Sequence, residues 1–387
     1  MKADDLEAVR GRLATLGRAW SPADVAEALR GLGLVVSDRL VAEAVDGLRR
    51  SSVGAGPLDD LLALDGVTDV LVNGPDRVWI DRGAGLELTE VRFAGEDEVR
   101  ALAVRLAASV GRRLDEASPW VDARMADGTR VHAVLSTLSD PGTCLSLRVP
   151  ARATFSFEAL VAAGSVSPLI ERVLRRVMER RVPFLVTGGT GSGKTTLLAA
   201  LIGLVDPAER VLVVEDSREL NPHHPHVVRL EGRVANAEGT GRVTLTDLVR
   251  QSLRMRPDRV VLGEVRGPEL VDMLMAMNTG HEGGCGTVHA NSVADVPARL
   301  EALAALGGMG RDACHAQVAS ALDLVVHVGR VGGRRLVQEL GVFERTAGLV
   351  EVVTALRVDE DGVEHTGPGW PWLAARCGIA RFAEVAA

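Results

Sequence analysis

A chain of 387 residues is too long for one hydrophobic core, so two or three domains are expected. Hydrophobic residues make up 47% of it, yet no apolar run reaches the ~18–20 residues a membrane helix needs. A net charge of -8 and an aromatic content of 3%, with no Tyr, argue against a protein that lives on a nucleic-acid backbone or stacks on bases.

The acidic start, Asp4, Asp5 and Glu7, lacks the basic-then-apolar pattern of a secretory leader, so a cytoplasmic protein is expected. Cys144, Cys285, Cys314 and Cys377 are widely spaced without a CxxC pair, which suggests free thiols rather than a disulfide framework or a four-cysteine zinc site. Lys2 and Lys194 are the only lysines among 44 Lys and Arg residues. An interior lysine in so arginine-rich a chain invites a role for a compact ammonium, such as reaching a phosphate.

In chain order, residues 1–50 read as a helical N-terminal segment, with amphipathic stretches at 6–16, 23–32 and 40–48. Ser21-Pro22 suits an N-cap followed by the first helical position. The small residues of 51–57 read as a linker. Residues 58–150 mix strands at 69–72, 77–81, 130–134 and 144–149 with one helix at 96–110, an α+β domain whose turns fall at Asn73-Gly74-Pro75 and Asp127-Gly128.

Residues 160–345 then alternate, with a helix at 168–181 and strands at 182–187, 211–215, 260–263 and 286–289, which predicts α/β architecture with a parallel sheet. The runs 322–328, 335–343 and 349–357 read as antiparallel strands appended to it. Residues 346–387 are a C-terminal extension, and its Gly/Pro/Trp-rich stretch 367–372 reads as irregular.

The chemistry concentrates in four places. A strand followed by GGTGSGKTT, residues Gly188, Gly189, Thr190, Gly191, Ser192, Gly193, Lys194, Thr195 and Thr196, fits G-x-x-x-x-G-K-[ST]. Without Cβ atoms such a loop curls so that its N–H groups and the helix N-terminus face phosphates. Lys194 then reaches the β- and γ-phosphates of ATP, and Thr195 holds Mg²⁺.

Two further strands end on acids, one on Glu215-Asp216 and one on Glu264. Parallel strands present these ends on one edge. Hydrolysis needs one acid near the metal, for which Glu264 is the candidate beside Thr195, and one to orient or deprotonate water. The sequence leaves open whether Glu215 or Glu264 is the base.

In the stretch from Thr279 to Asn291, His281, Cys285 and His289 share one face of an imagined helix and would suit a metal. The glycines between them favour a loop and strand that bring His289 near the γ-phosphate as a sensor. His223, His224 and His226, interleaved with Pro222 and Pro225, read as a surface loop.

The order GGTGSGKTT, VVEDSREL, LRMRPDRVVLGEVRGPE and TGHEGGCGTVHANS resembles the Walker A, Asp box, Walker B and His box of the type II/IV secretion ATPase superfamily. Upstream, VLVNGPDRVWIDR and VDARMADGTRVHAV resemble its CpaF-like, tight-adherence (Flp) pilus branch. The resemblance runs over residues 58–343. It implies a RecA-like P-loop ATPase domain behind a mixed α+β domain, nucleotide between the two, a hexameric homo-oligomer and an inner-membrane platform as partner, with the motor at the inner face of the cytoplasmic membrane.

The arginines of the family that reach the phosphates correspond to Arg130 and Arg148, with Arg124 a weaker match. Departures are Gly284, Cys285 and Gly286 in the His box and His132 where Asn is usual. No four-cysteine zinc insertion and no retraction signature are present, which favours the Flp branch or its conjugation-type cousins. A DNA-acting RecA-like motor is the competing reading.

Overall fold

The computed structural model describes residues 8–9, 11–13, 21–34, 36–42, 44–45, 54–83, 85–125, 127–150, 155–235, 239–280, 282–331 and 333–379. The chain forms two compact units, Met1–Ala151 and Arg152–Ala387.

The first unit opens with helical residues, of which Pro22–Gly31 is the clearest helix. Ser21 caps it through a reciprocal pair, its hydroxyl accepting from the Asp24 amide while the Asp24 carboxylate accepts from the Ser21 amide, and Pro22 fills the first turn. Val25, Ala28 and Leu29 face a small cluster with Val9, Leu13, Ala44 and Val45. The rest of the stretches expected at 6–16 and 40–48 falls partly outside the described residues, as do 51–53 of the expected linker.

Six strands follow: β1 (Asp69–Asn73), β2 (Val78–Asp81), β3 (Leu86–Leu88), β4 (Trp120–Arg124), β5 (Arg130–Val134) and β6 (Cys144–Arg148). They pair antiparallel throughout in the order β3-β2-β1-β6-β5-β4. Alternate residues such as Val70, Val72, Val131, Ala133, Leu145 and Leu147 are buried, the pattern of a sheet with one covered face. Helix Glu96–Ser109 supplies Val99, Leu102, Ala103 and Leu106 to the same core. β3 and β4 were not anticipated from sequence, because the exposed Leu86, Leu88 and Trp120 obscure the alternation.

The second unit holds a nine-stranded sheet of β7 (Phe184–Thr187), β8 (Val211–Glu215), β9 (Val227–Glu231), β10 (Arg259–Val265), β11 (Cys285–Val288), β12 (Leu324–Val331), β13 (Arg334–Thr346), β14 (Leu349–Val358) and β15 (Glu364–Thr366). Its order is β15-β14-β13-β12-β7-β11-β10-β8-β9. The six strands from β12 to β9 are parallel, and β7, β8 and β11 are buried on both faces, which explains their unbroken apolar runs.

Two expectations are corrected here, and one strand was not anticipated. β12 pairs parallel with β7 and antiparallel with β13, so the antiparallel addition begins one strand later than the sequence suggested. β9 (VVRLE), just after the histidine cluster, is a strand on the sheet edge that was not anticipated; none of its residues is fully buried. The tail is not irregular: Trp370–Cys377 is a helix, and its Trp370, Leu373, Ala374 and Cys377 enter the main core.

That tail is tied in from a second side. Glu364 accepts at 2.8 Å and 3.4 Å from the Leu169 and Ile170 amides, capping helix Pro168–Glu179. Leu373 is fully buried, so Leu373→Ala is expected to cost the larger unit about 2–5 kcal/mol. Chemical denaturation measures it; a loss under about 1 kcal/mol would contradict the packing described.

Candidate active site

Strand β7 ends at Thr187, and the chain turns at once into the glycine loop. Gly188, with φ 149°, lies so close to β12 that a Cβ there would stand 2.2 Å from the Val328 carbonyl oxygen. Gly191 (φ 67°) and Gly193 (φ 102°) take left-handed conformations that L side chains rarely adopt. Helix Lys194–Ile202 starts directly after, with Gly193 at its N-cap. A side chain at Gly188 would therefore collide with β12 and with the Ser192 hydroxyl, so the loop keeps this course only with glycine there.

Lys194 is buried, with 8% exposure, and its Nζ donates to the Gly188 and Gly189 carbonyls at 2.9 Å each. Burial pushes its pKa below the ordinary lysine value, opposed by the nearby Glu264 charge. His289 Nε2 lies 3.3 Å from Lys194 Nζ and 3.8 Å from Glu264 Oε1. The strand order accounts for this line of three. β11 lies between β7 and β10, so the residue after its C-terminal end sits between the loop lysine and the β10 acid. Burial and the Lys194 charge lower the His289 pKa, which favours the neutral imidazole.

Glu264 is 19% exposed and pairs with Arg266, whose other nitrogen reaches Asp216 at 3.4 Å. Glu215 differs from it sharply. At 3% exposure its Oε1 accepts from the Glu219 and Leu220 amides at 2.9 Å each, while its buried Oε2 has no hydrogen-bond partner. Burial raises its pKa from 4.5 to about 7.

Thr195, Glu215, Asp216, Glu219 and Glu264 border one small cavity. Hard oxygen donors with an unsatisfied carboxylate oxygen suit Mg²⁺, and the glycine cradle with its ammonium suits phosphate. The residues present thus fit both groups.

The structure brings together Gly188 to Thr196, Glu215, Glu264 and His289 in the second unit. Arg130 and Arg148 belong to the first. They stand opposite each other on β5 and β6, and Arg124 is opposite Arg130, so one cross-strand row carries all three. Arg148 also pairs with Asp69 at 3.4 Å.

The stretch after His281, itself outside the described residues, is a turn leading into β11 rather than a helix. Cys285 there is buried in the core, its thiol pushed up to about 12 by burial. Sequence reasoning missed Asp216, Arg266, Arg330 and Arg335 as neighbours of the loop. Arg266 was legible two residues beyond Glu264; the other arginines come from a distant hairpin.

Residues 51–365 match the model of the type II/IV secretion system protein family. The chain belongs to that family. A putative conjugal transfer protein of Mycobacterium tuberculosis is 53% identical over 319 residues, covering 81% of this chain and 91% of that protein. The type IV secretion system protein PtlH of Bordetella pertussis is 32% identical over 304 residues, covering 70% and 88%.

In fold, the chain is similar to the Legionella pneumophila ATPase DotB, with a TM-score of 0.52 at 21% identity over 73% of this chain and 78% of that one. It is also similar to the pilus retraction motor PilT, with a TM-score of 0.51 at 22% identity over 72% and 78%. The RecA-like class and the α+β N-terminal domain expected for this secretion family are thus present, the N-terminal sheet being antiparallel throughout. No helix among the described residues is long and apolar enough to cross a membrane.

The buried Glu215 makes stability depend on pH with a definite sign. Because its folded pKa lies above the ordinary 4.5, the native state holds the proton more tightly, and stability falls as pH rises from about 4.5 to about 7. Glu215→Gln is expected to match the parent near pH 4 and to exceed it by roughly 2–3 kcal/mol at pH 8. Denaturation midpoints across that range check it; a gap independent of pH would contradict the assignment.

Proposed function

We propose that this chain is an ATP-hydrolysing motor of a bacterial secretion or pilus-assembly machine. The observation that carries the reading is the buried Lys194 ammonium, held by loop carbonyls at the head of a helix, with His289 and Glu264 beside it. A buried cation with neutral partners is costly, and a polyphosphate offsets that cost.

In this reading Lys194 binds the β- and γ-phosphates, and the loop amides orient them. Thr195 and Glu264 would hold Mg²⁺, which would supply charge neutralisation on the phosphates. Glu264 is favoured over Glu215 as the group that orients or deprotonates water, since it lines the cavity in partly exposed form. Glu215 has one oxygen committed to the Glu219 and Leu220 amides, which suits a positioning role for the loop after β8. Neutral His289 accepts from the Lys194 ammonium through Nε2, with the Glu264 carboxylate 3.8 Å away, and in this reading it reports the γ-phosphate.

The same reading gives the chain an α+β N-terminal domain within 58–150, an ATPase domain within 160–345 and a C-terminal extension. Arg130 and Arg148 act as arginine fingers. Protomers form a hexameric ring that works on inner-membrane platform proteins from the cytoplasmic side, in a Flp/Tad-type pilus system. A conjugation-type secretion motor is the second reading, favoured by the descriptions of the relatives.

Mg²⁺-dependent ATP hydrolysis as a function of protein concentration tests the proposal. Specific activity is expected to rise with concentration, to vanish in Lys194→Ala, and to fall at least about 10³-fold in Arg148→Ala. Wild-type turnover by Lys194→Ala would overturn it. Strong stimulation by single-stranded DNA at physiological salt would move the assignment to a DNA-acting motor.

A further inference from the structure

The hairpin of β12 and β13 extends past the end of β7 and runs beside the glycine loop. Where β12 still pairs with β7, His327 is opposite Thr187; three residues on comes Arg330. Arg335, on β13, is directly opposite Arg330. Two like charges facing each other across an antiparallel pair are destabilising, so the arrangement needs an offset. The two side chains converge on one atom. Arg330 Nη2 donates to the Gly191 carbonyl at 3.2 Å and Arg335 Nε donates to it at 3.0 Å.

That carbonyl belongs to the peptide linking Gly191 to Ser192. In a trans peptide the C=O and N–H point in opposite directions. Arginines that hold the oxygen on the outside therefore turn the Ser192 N–H to the inside of the loop. There it lies 3.3 Å from the Gly189 carbonyl, the same oxygen that Lys194 Nζ meets at 2.9 Å. The stem of Arg335 also lies over the loop, since a Cβ on Gly193 would stand 3.5 Å from its Cδ.

We propose that Arg330 and Arg335 are positioning residues of the nucleotide site. They hold the phosphate loop in its donor-inward form, and they place two guanidinium charges against the loop that receives a nucleoside di- or triphosphate. The like-charge cost in the hairpin is offset when the polyanion binds. The inference rests on the reading of the loop as a nucleotide site. Because one carbonyl with two lone pairs accepts both donors, each arginine covers for the other.

The test is titration of the full-length chain with Mg²⁺ and a fluorescent ADP, together with thermal denaturation without nucleotide. Arg330→Ala and Arg335→Ala alone are expected to weaken binding by no more than about threefold, and the double variant by about tenfold or more, beyond the product of the singles. The nucleotide-free midpoint of the double variant is expected to be unchanged or higher, because a like-charge pair has been removed. Arg335→Lys in the Arg330→Ala background is expected to recover part of the affinity.

Wild-type binding with a double variant within about threefold of it would overturn this inference and leave the nucleotide reading standing. A double variant whose affinity loss tracks a lowered nucleotide-free midpoint would also overturn it, in favour of a structural role. Failure of the parent chain to bind nucleotide would overturn both.

Discussion

The buried ammonium of Lys194 is the constraint around which the larger unit is arranged. Taking a cation out of water costs several kcal/mol unless its surroundings compensate. Here the immediate partners are two loop carbonyls and an imidazole, with Glu264 as a more distant charge. The loop can offer those carbonyls only because Gly188, Gly191 and Gly193 take backbone conformations closed to other residues, and because β12 passes too near Gly188 to admit a Cβ. The sheet order then decides what else reaches the ammonium.

Inserting β11 between the loop strand β7 and the acid strand β10 makes His289 an intermediary between Lys194 and Glu264. A sheet with β7 and β10 adjacent would bring lysine and glutamate into direct contact and tie up both. The two acids at strand ends are differentiated by burial and by their partners. Both border the cavity, but Glu215 is buried with one oxygen held by the turn that follows it and its pKa raised to about 7, whereas Glu264 is partly exposed beside Arg266.

Much of this was legible in the sequence where the signal is local. The loop motif, its flanking strand and helix, and the acids ending β8 and β10 lie within short segments, and the sole interior lysine marked the centre. The Ser21-Pro22 helix start was equally local. What the sequence hid was non-local or masked by exposure. β9 is half-exposed, β12 takes its direction from a partner 140 residues earlier in the chain, and the tail helix becomes recognisable only when Leu373 and Cys377 meet the core. Arg330 falls between two expected strands and Arg335 opens the second, and nothing within a few positions of them announces the glycine loop. The alignment of Arg124, Arg130 and Arg148 in one row likewise depends on register across three strands.

The measurement closest to the central claim is paired ATP binding and single-turnover hydrolysis by Glu264→Gln. An amide keeps the size of the side chain but removes its charge and its basicity. The account expects ATP affinity within several-fold of the parent and hydrolysis slowed by about 10²-fold or more. Hydrolysis at the parent rate with ATP bound would show that the chemistry lies elsewhere than on this sheet edge.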